Sequence, residues 1–229
     1  MDKQLATAQA LKYAEELRQL HAKERTHRRS LEQTLEQLQD SYGTTVRALA
    51  AALELRDDQT GEHAGRVSGL AMRLARDVAR DLSADPQLEF GFLLHDLGKI
   101  GVPDAILLKP GRLTPDELER MRAHTILGER IVAQIPYLSG LARDVVAFHH
   151  ERWDGSGYPY QLRGKEIPLA ARIFALVDAW DAMTNDRPYR RALTIETAVS
   201  QIRAGSGTQF DPDLVDAFLA LVPELRSAA

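Results

Sequence analysis

Seven side chains in this sequence carry metal or proton chemistry and stand where a helical pattern calls for apolar residues, or next to such a position. His63 shares a helical face with Val67, Leu70 and Ala71. His95 closes the run LEFGFLLH in line with Leu88 and Phe92, and Asp96 follows it. His124 lines up with Met121, Gly128 and Ile131. His149 lines up with Ala142, Val145 and Val146, and His150 is its neighbour. Asp178 lies on a face with Phe174 and Val177. These alignments follow from the spacing of three, four and seven residues that brings side chains to one side of a helix.

Any one histidine on an apolar face reads as a core residue with a satisfied hydrogen bond. Five of the chain's seven, together with two buried aspartates, read differently. A buried carboxylate is costly unless it is paired or bound to a cation, and too few Lys and Arg lie near Asp96 and Asp178 to neutralise both. Neutral imidazoles mixed with carboxylates suit a divalent first-row metal such as Fe, Mn or Zn. Six or seven ligands exceed the needs of one ion, which points to two ions sharing a bridging carboxylate. The chain has no cysteine, so thiolate sites and disulfides are excluded. His21 and His27 lie on an N-terminal polar helix and read as solvated.

The elements that must hold these residues are helical. Residues 2–41 are rich in Glu, Gln, Leu, Arg and Ala and contain neither Gly nor Pro, which predicts one long helix. Leu17, Leu31, Leu35 and Leu38 fit a heptad seam that Glu24 and Arg28 interrupt. A helix polar on most faces needs a partner. The partner read here is a second copy, forming a coiled-coil homodimer; the alternative is packing back on its own domain. The segment also reads as a connector to an upstream sensory domain. Gly43 marks the joint, giving residues 1–42 as linker helix and 43–229 as the main domain. Asp85-Pro86, Thr114-Pro115 and Asp211-Pro212 are helix starts. With no alternating strand pattern, the fold class is all-α. Loops are expected near 101–113, 134–137, 151–168 and 204–211.

Of 229 residues, 44% are hydrophobic and 27% charged, with net charge −4. Such a chain can bury a real core, and its charge speaks against a nucleic-acid polymer or an anionic membrane as partner. The N-terminus lacks a signal-peptide apolar stretch and no apolar run approaches the ~20 residues that span a bilayer. The expected location is the cytoplasm.

Six stretches, in order, carry a family resemblance: RDDQTGEHAGRV, LLHDLGKIGVPDAILLKPGRL, MRAHTILGERI, HHERWDGSGYP, IPLAARIFALVDAWDAMTNDRPYR and SGTQFDP. Together they span about residues 43–222, and the chain resembles the HD-GYP family of HD-domain metal-dependent phosphohydrolases. The resemblance implies a helical bundle. It implies that His63, His95, Asp96 and Asp178 are the ligands shared by HD phosphohydrolases, that His124, His149 and His150 are those added for a second metal, and that Asp96 bridges. The implied substrate is cyclic di-GMP and the implied products are linear pGpG or GMP. Two departures stand out. Gln59 replaces a glutamate that holds a third metal in some members, so two divalent ions, Fe or Mn, are expected. Gln161 stands where the loop after GYP usually has glycine.

Two close metals can lower the pKa of a bridging water and polarise phosphate oxygens; hydroxide held by both would attack phosphorus in line with the ribose 3′ oxygen. Lys99 follows Asp96 by three residues and can reach the same cavity to stabilise the phosphate; otherwise it is a helix-end cation. Asp57, as similar residues do in the family, would orient Lys99; otherwise it is a surface acid. Arg187 and Arg190 suit bidentate contacts with phosphate or a guanine edge. Gly155 and Gly157 let the loop turn tightly, and Pro159 fixes its exit. Tyr158 is thereby held to stack on a base or bond a phosphate, while Trp153 is read as packing. The competing readings are a non-catalytic module that binds the dinucleotide, and a hydrolase of another cyclic dinucleotide or nucleotide.

Overall fold

The computed structural model describes residues 2–57, 63–138, 140–186 and 191–227. Among them there is no strand; the one bridge joins Ser206 and Phe210. The chain divides into two compact units, Met1–Thr45 and Val46–Ala229. Helix α1 (Asp2–Asp57) runs unbroken through Gly43, past the expected end at 41. A glycine inside a helix costs only about 1 kcal/mol, which the residues on either side absorb.

In the first unit, Leu17, Leu31, Leu35 and Leu38 are each more than half exposed. The polar faces carry ion pairs along the helix, among them Lys12–Glu16 and Arg28–Glu32.

The second unit is built around α4 (Pro86–Leu94). The Asp85 side chain accepts a hydrogen bond from Gln87 N, and Pro86 occupies the first turn, where a missing N–H costs nothing. Glu89 faces out, but every residue from Phe90 to Leu94 is buried, so that stretch must be surrounded. Leu88 and Phe92 face one core, with Leu74 of α2 (His63–Val78), Phe174 and Trp180 of α9 (Leu169–Thr184), and Phe218. Phe90, Leu93 and Leu94 face the other, with Val46, Leu138 and Val146. Each fully buried ring or leucine contributes roughly 2–3 kcal/mol. Gly91 allows α4 to lie close to α8 (Leu141–Phe148): a Cβ there would meet Ala142 Cα at 2.8 Å.

Between α4 and α8 lie a 3-10 turn (Leu97–Gly101), α5 (Asp104–Leu107), α6 (Pro115–Arg122) and α7 (His124–Val132). Thr114 and Glu117 form a reciprocal cap on α6, as the sequence pattern predicts. After α9 come α10 (Ile195–Ala204) and α11 (Pro212–Ser227), where Asp211 accepts from Asp213 N at 3.0 Å. Among the described residues no helix is long and apolar enough to cross a membrane.

Candidate metal centre and its cleft

All the ligand candidates but Asp178, which lies within α9, sit at or beside helix ends. His95 and His149 are the residues that close α4 and α8, and His63 and His124 open α2 and α7. The last carbonyls of a helix have no partner within it, and here they hold imidazoles. His95 Nδ1 lies 3.0 Å from Phe92 O, His124 Nδ1 2.7 Å from Met121 O, and His149 Nδ1 3.1 Å from both Val145 O and Val146 O. A carbonyl can only accept, so each Nδ1 carries a proton and Nε2 is the atom left to bind a metal. The C-terminal ends of α4, α6 and α8 also bring partial negative charge toward the same place, which favours a cation.

His63 is held differently. Its Nδ1 is 2.7 Å from Asp181 Oδ2, a carboxylate that also receives Arg66 Nε at 3.1 Å and Asn185 Nδ2 at 2.8 Å. Burial alone would raise the Asp181 pKa, but His63 and Arg66 overcome it and hold it low. His63 Nε2 is left 3.4 Å from Asp178 Oδ1.

The potential ligand atoms form two groups, each within 4.8 Å: Asp96, His124, His149 and His150, and separately His63, His95 and Asp178. Asp96 joins them. Its Oδ1 lies 3.3 Å from His124 Nε2 and 3.9 Å from His149 Nε2, while its Oδ2 lies 3.0 Å from His95 Nε2 and 2.8 Å from Lys99 Nζ. Burial opposes ionisation of Asp96, yet Lys99 and His95 hold its pKa well below the usual range. Burial pushes His124 and His149 down, His149 well down with His150 adding to it, and takes His150 to about 4. Burial also opposes a charge on His95, but the Asp96 carboxylate outweighs it and raises that pKa. Imidazoles around an ionised carboxylate, with His124, His149 and His150 held neutral by burial, form the donor set a divalent first-row metal takes, so the residues present fit such an ion.

All seven predicted ligand residues are thus gathered. Lys99 reaches the same cavity. Tyr158 lines the adjoining cleft, its ring stacked on His150 at 4.8 Å with the Arg122 guanidinium 5.1 Å over it. Burial, with Asp96 adding to it, pushes the Tyr158 phenol up, so it stays protonated. Gln59, Arg187 and Arg190 lie outside the described residues, as does the Asp57 side chain. Trp153 is half-buried beneath Arg172, 5.8 Å away.

Four residues that the sequence reading did not single out organise the site. Asp181 is one; its signal was available, three residues beyond Asp178 on the same face of α9. Glu151, buried beside the histidine pair, accepts from Tyr160 N at 2.7 Å and Leu162 N at 3.1 Å and so ties down the GYP loop. Within that loop Gly155 has φ +81°, and a Cβ on Gly157 would strike Arg152 N at 2.3 Å. Gln161 keeps the left-handed backbone, φ +56°, that a glycine adopts without cost. Gly98 lets the HDLGK turn touch α7: its Cβ would sit 1.8 Å from His124 O. Arg56 clamps the far side of that turn, donating to Lys99 O at 2.9 Å, Val102 O at 2.7 Å and Asp104 Oδ1 at 2.6 Å.

A helical bundle that delivers imidazoles and carboxylates to one point fits a divalent-metal protein. The HD-domain family matches residues 47–214, and the chain belongs to that family, in its HD-GYP branch. Over 200 residues it is 44% identical to a probable cyclic di-GMP phosphodiesterase of Vibrio cholerae, covering 81% of this chain and 45% of that one. It is 47% identical over 141 residues to a cyclic di-GMP phosphodiesterase of Thermotoga maritima, covering 61% of this chain and 38% of that one. The chain therefore spans less than half the length of these curated relatives. A solved cyclic GMP-AMP-specific phosphodiesterase of V. cholerae has the same fold, with TM-score 0.60 at 23% identity over 80% of this chain and 49% of that one.

Proposed function

We propose that this chain hydrolyses a phosphodiester bond of cyclic di-GMP, giving linear pGpG or GMP, with two divalent ions, Fe or Mn, at the centre. The observation that carries this reading is Asp96, whose two oxygens face two separate ligand groups. His63, His95 and Asp178 would hold one ion, His124, His149 and His150 the other, with Asp96 between. Bound there, two divalent ions supply charge neutralisation at phosphorus and a water acidified enough to attack near neutral pH.

The chain's own groups do the rest. Lys99 Nζ, already paired with Asp96, offers its remaining protons to a phosphate oxygen. The Tyr158 phenol is a donor that does not ionise at working pH. Arg187 and Arg190 would grip phosphate or a guanine edge, and Asp57 would orient Lys99. Glu151 and Asp181 hold the loop and His63 in place. The reading includes a cytoplasmic homodimer joined through α1 and an upstream sensory domain; sedimentation of the full chain as a monomer only would remove the dimer.

The test is cyclic di-GMP hydrolysis by protein purified without oxygen, with metal counted on the same sample. Turnover with about two ions per chain, the content a bridged pair requires, is the expected result. Two ions and bound dinucleotide without turnover would replace hydrolysis by sensing.

A further inference from the structure

The SGTQFDP stretch has no role in the metal centre, yet it builds part of the cleft beside it. The cleft has a volume of about 480 Å³, within the range of small-molecule sites. His149, His150 and Asp178 line it where it meets the ligand groups. Ala175, Ala179, Ala182 and Met183 add a stripe of small or apolar side chains along the same face of α9 as Asp178. From Asp178 to Ala182 this stripe advances about 6 Å, the order of the reach from a phosphate across its ribose to its base. Small side chains leave a flat surface on which an aromatic ring can lie.

Two carboxamides complete the lining: Gln201 from α10 and Gln209 from the 205–211 loop. Neither side chain has a hydrogen-bond partner among the described residues. By contrast, Gln87 is used structurally and accepts from Gly140 N. The loop that carries Gln209 is fixed on both sides. Trp153 N donates to Gln209 O at 3.2 Å and Asp154 N to Thr208 O at 2.8 Å, which joins it to the GYP loop. Two residues on, Asp211 is buried in an ion pair with Arg172. With its backbone already fixed, the loop itself has little ordering left to lose on binding.

The geometry points to a purine-base subsite in this cleft, with the α9 stripe against the base face and Gln201 and Gln209 reading its edge. A carboxamide places a donor and an acceptor side by side, the pattern found on guanine and adenine edges. The subsite deepens the cyclic dinucleotide reading and rests on it for the natural ligand. Gln209 and Gln201 are then the residues that select among nucleotides, while the metal centre sees only phosphate.

The experiment is equilibrium binding of 5′-GMP, 5′-CMP and inorganic phosphate to the metal-loaded full chain, wild type and Gln201→Ala/Gln209→Ala. Wild type is expected to bind GMP at least tenfold more tightly than CMP. The double variant should lose about tenfold to a hundredfold for GMP, with phosphate binding unchanged. Equal wild-type affinity for GMP and CMP, or a double variant that keeps the GMP preference, overturns the subsite. So does equal weakening of all three ligands, which would place the glutamines in support of the metal centre. Cyclic di-GMP turnover is read separately: a wild type that prefers GMP but cleaves no cyclic dinucleotide keeps the subsite and removes the hydrolase reading.

Discussion

Gly98→Ala puts one methyl group into the contact that unites the two halves of the metal centre. The new Cβ would stand 1.8 Å from His124 O and 2.4 Å from Gly128 N, both backbone atoms. Neither can rotate away, so the HDLGK turn and α7 must part by about 1.6 Å to reach ordinary contact. Asp96 lies on one side of that gap and His124 on the other, with 3.3 Å between Oδ1 and Nε2. Metal–ligand distances tolerate only about 0.2 Å. The His124, His149 and His150 group therefore loses its carboxylate, and on the proposed two-ion reading metal content falls from about two ions toward about one. Overpacking against backbone should also cost roughly 3 kcal/mol, which in a domain of this size lowers Tm by about 6–12 °C. Calorimetry and metal analysis on one preparation read both effects, and hydrolysis should drop about a hundredfold. A Gly98→Ala protein with wild-type Tm and wild-type metal content would refute the contact, and with it the account of how the turn sets the ligands.

Asp181→Asn keeps the size of the side chain but removes the charge that holds His63 Nδ1–H, so metal affinity should fall about 10–100-fold in a chelator competition; unchanged affinity would make Asp181 a partner of Arg66 alone. Lys99→Ala should retain its metal while kcat falls about a hundredfold, the size of one lost transition-state donor, and metal loss in that variant would sink its phosphate role. The metal-free chain should lose stability as pH falls below 6.5, because the unfolded chain then takes protons that His124, His149 and His150 refuse, while His95, whose pKa is raised, offsets part of the loss. His150, moved from 6.5 to about 4, accounts for ~2 kcal/mol of that loss by pH 5. His124 and His149 act in the same direction. Urea midpoints at pH 7 and pH 5 measure the effect; equal midpoints would show these rings to be solvated.

Much of this protein was legible in one dimension. Helix periodicity shows that His63, His95, His124 and His149 lie on buried faces, because burial follows from spacing alone. Proline starts at Asp85 and Thr114 are local chemistry and hold in the structure. The ordered motifs name the family, since they record the residue types a metal and a phosphate demand. Other features are not local. Spacing puts Asp181 on the Asp178 face of α9, but its partner is set only when folding brings His63 from α2 to its carboxylate. Glu151 becomes the anchor of the GYP loop only when the chain returns to place Tyr160 N and Leu162 N against it. Gly98 reads as a turn glycine, whereas its neighbour in space is the His124 carbonyl. Gln209 has no evident task until its loop pairs with Trp153 and Asp154 and its side chain faces the cleft. Spacing along a helix determines which side chains share a face; which face meets which depends on how α4, α7, α8 and α9 pack. The two oxygens of Asp96 reach two ligand groups only because that packing brings their ends to one place.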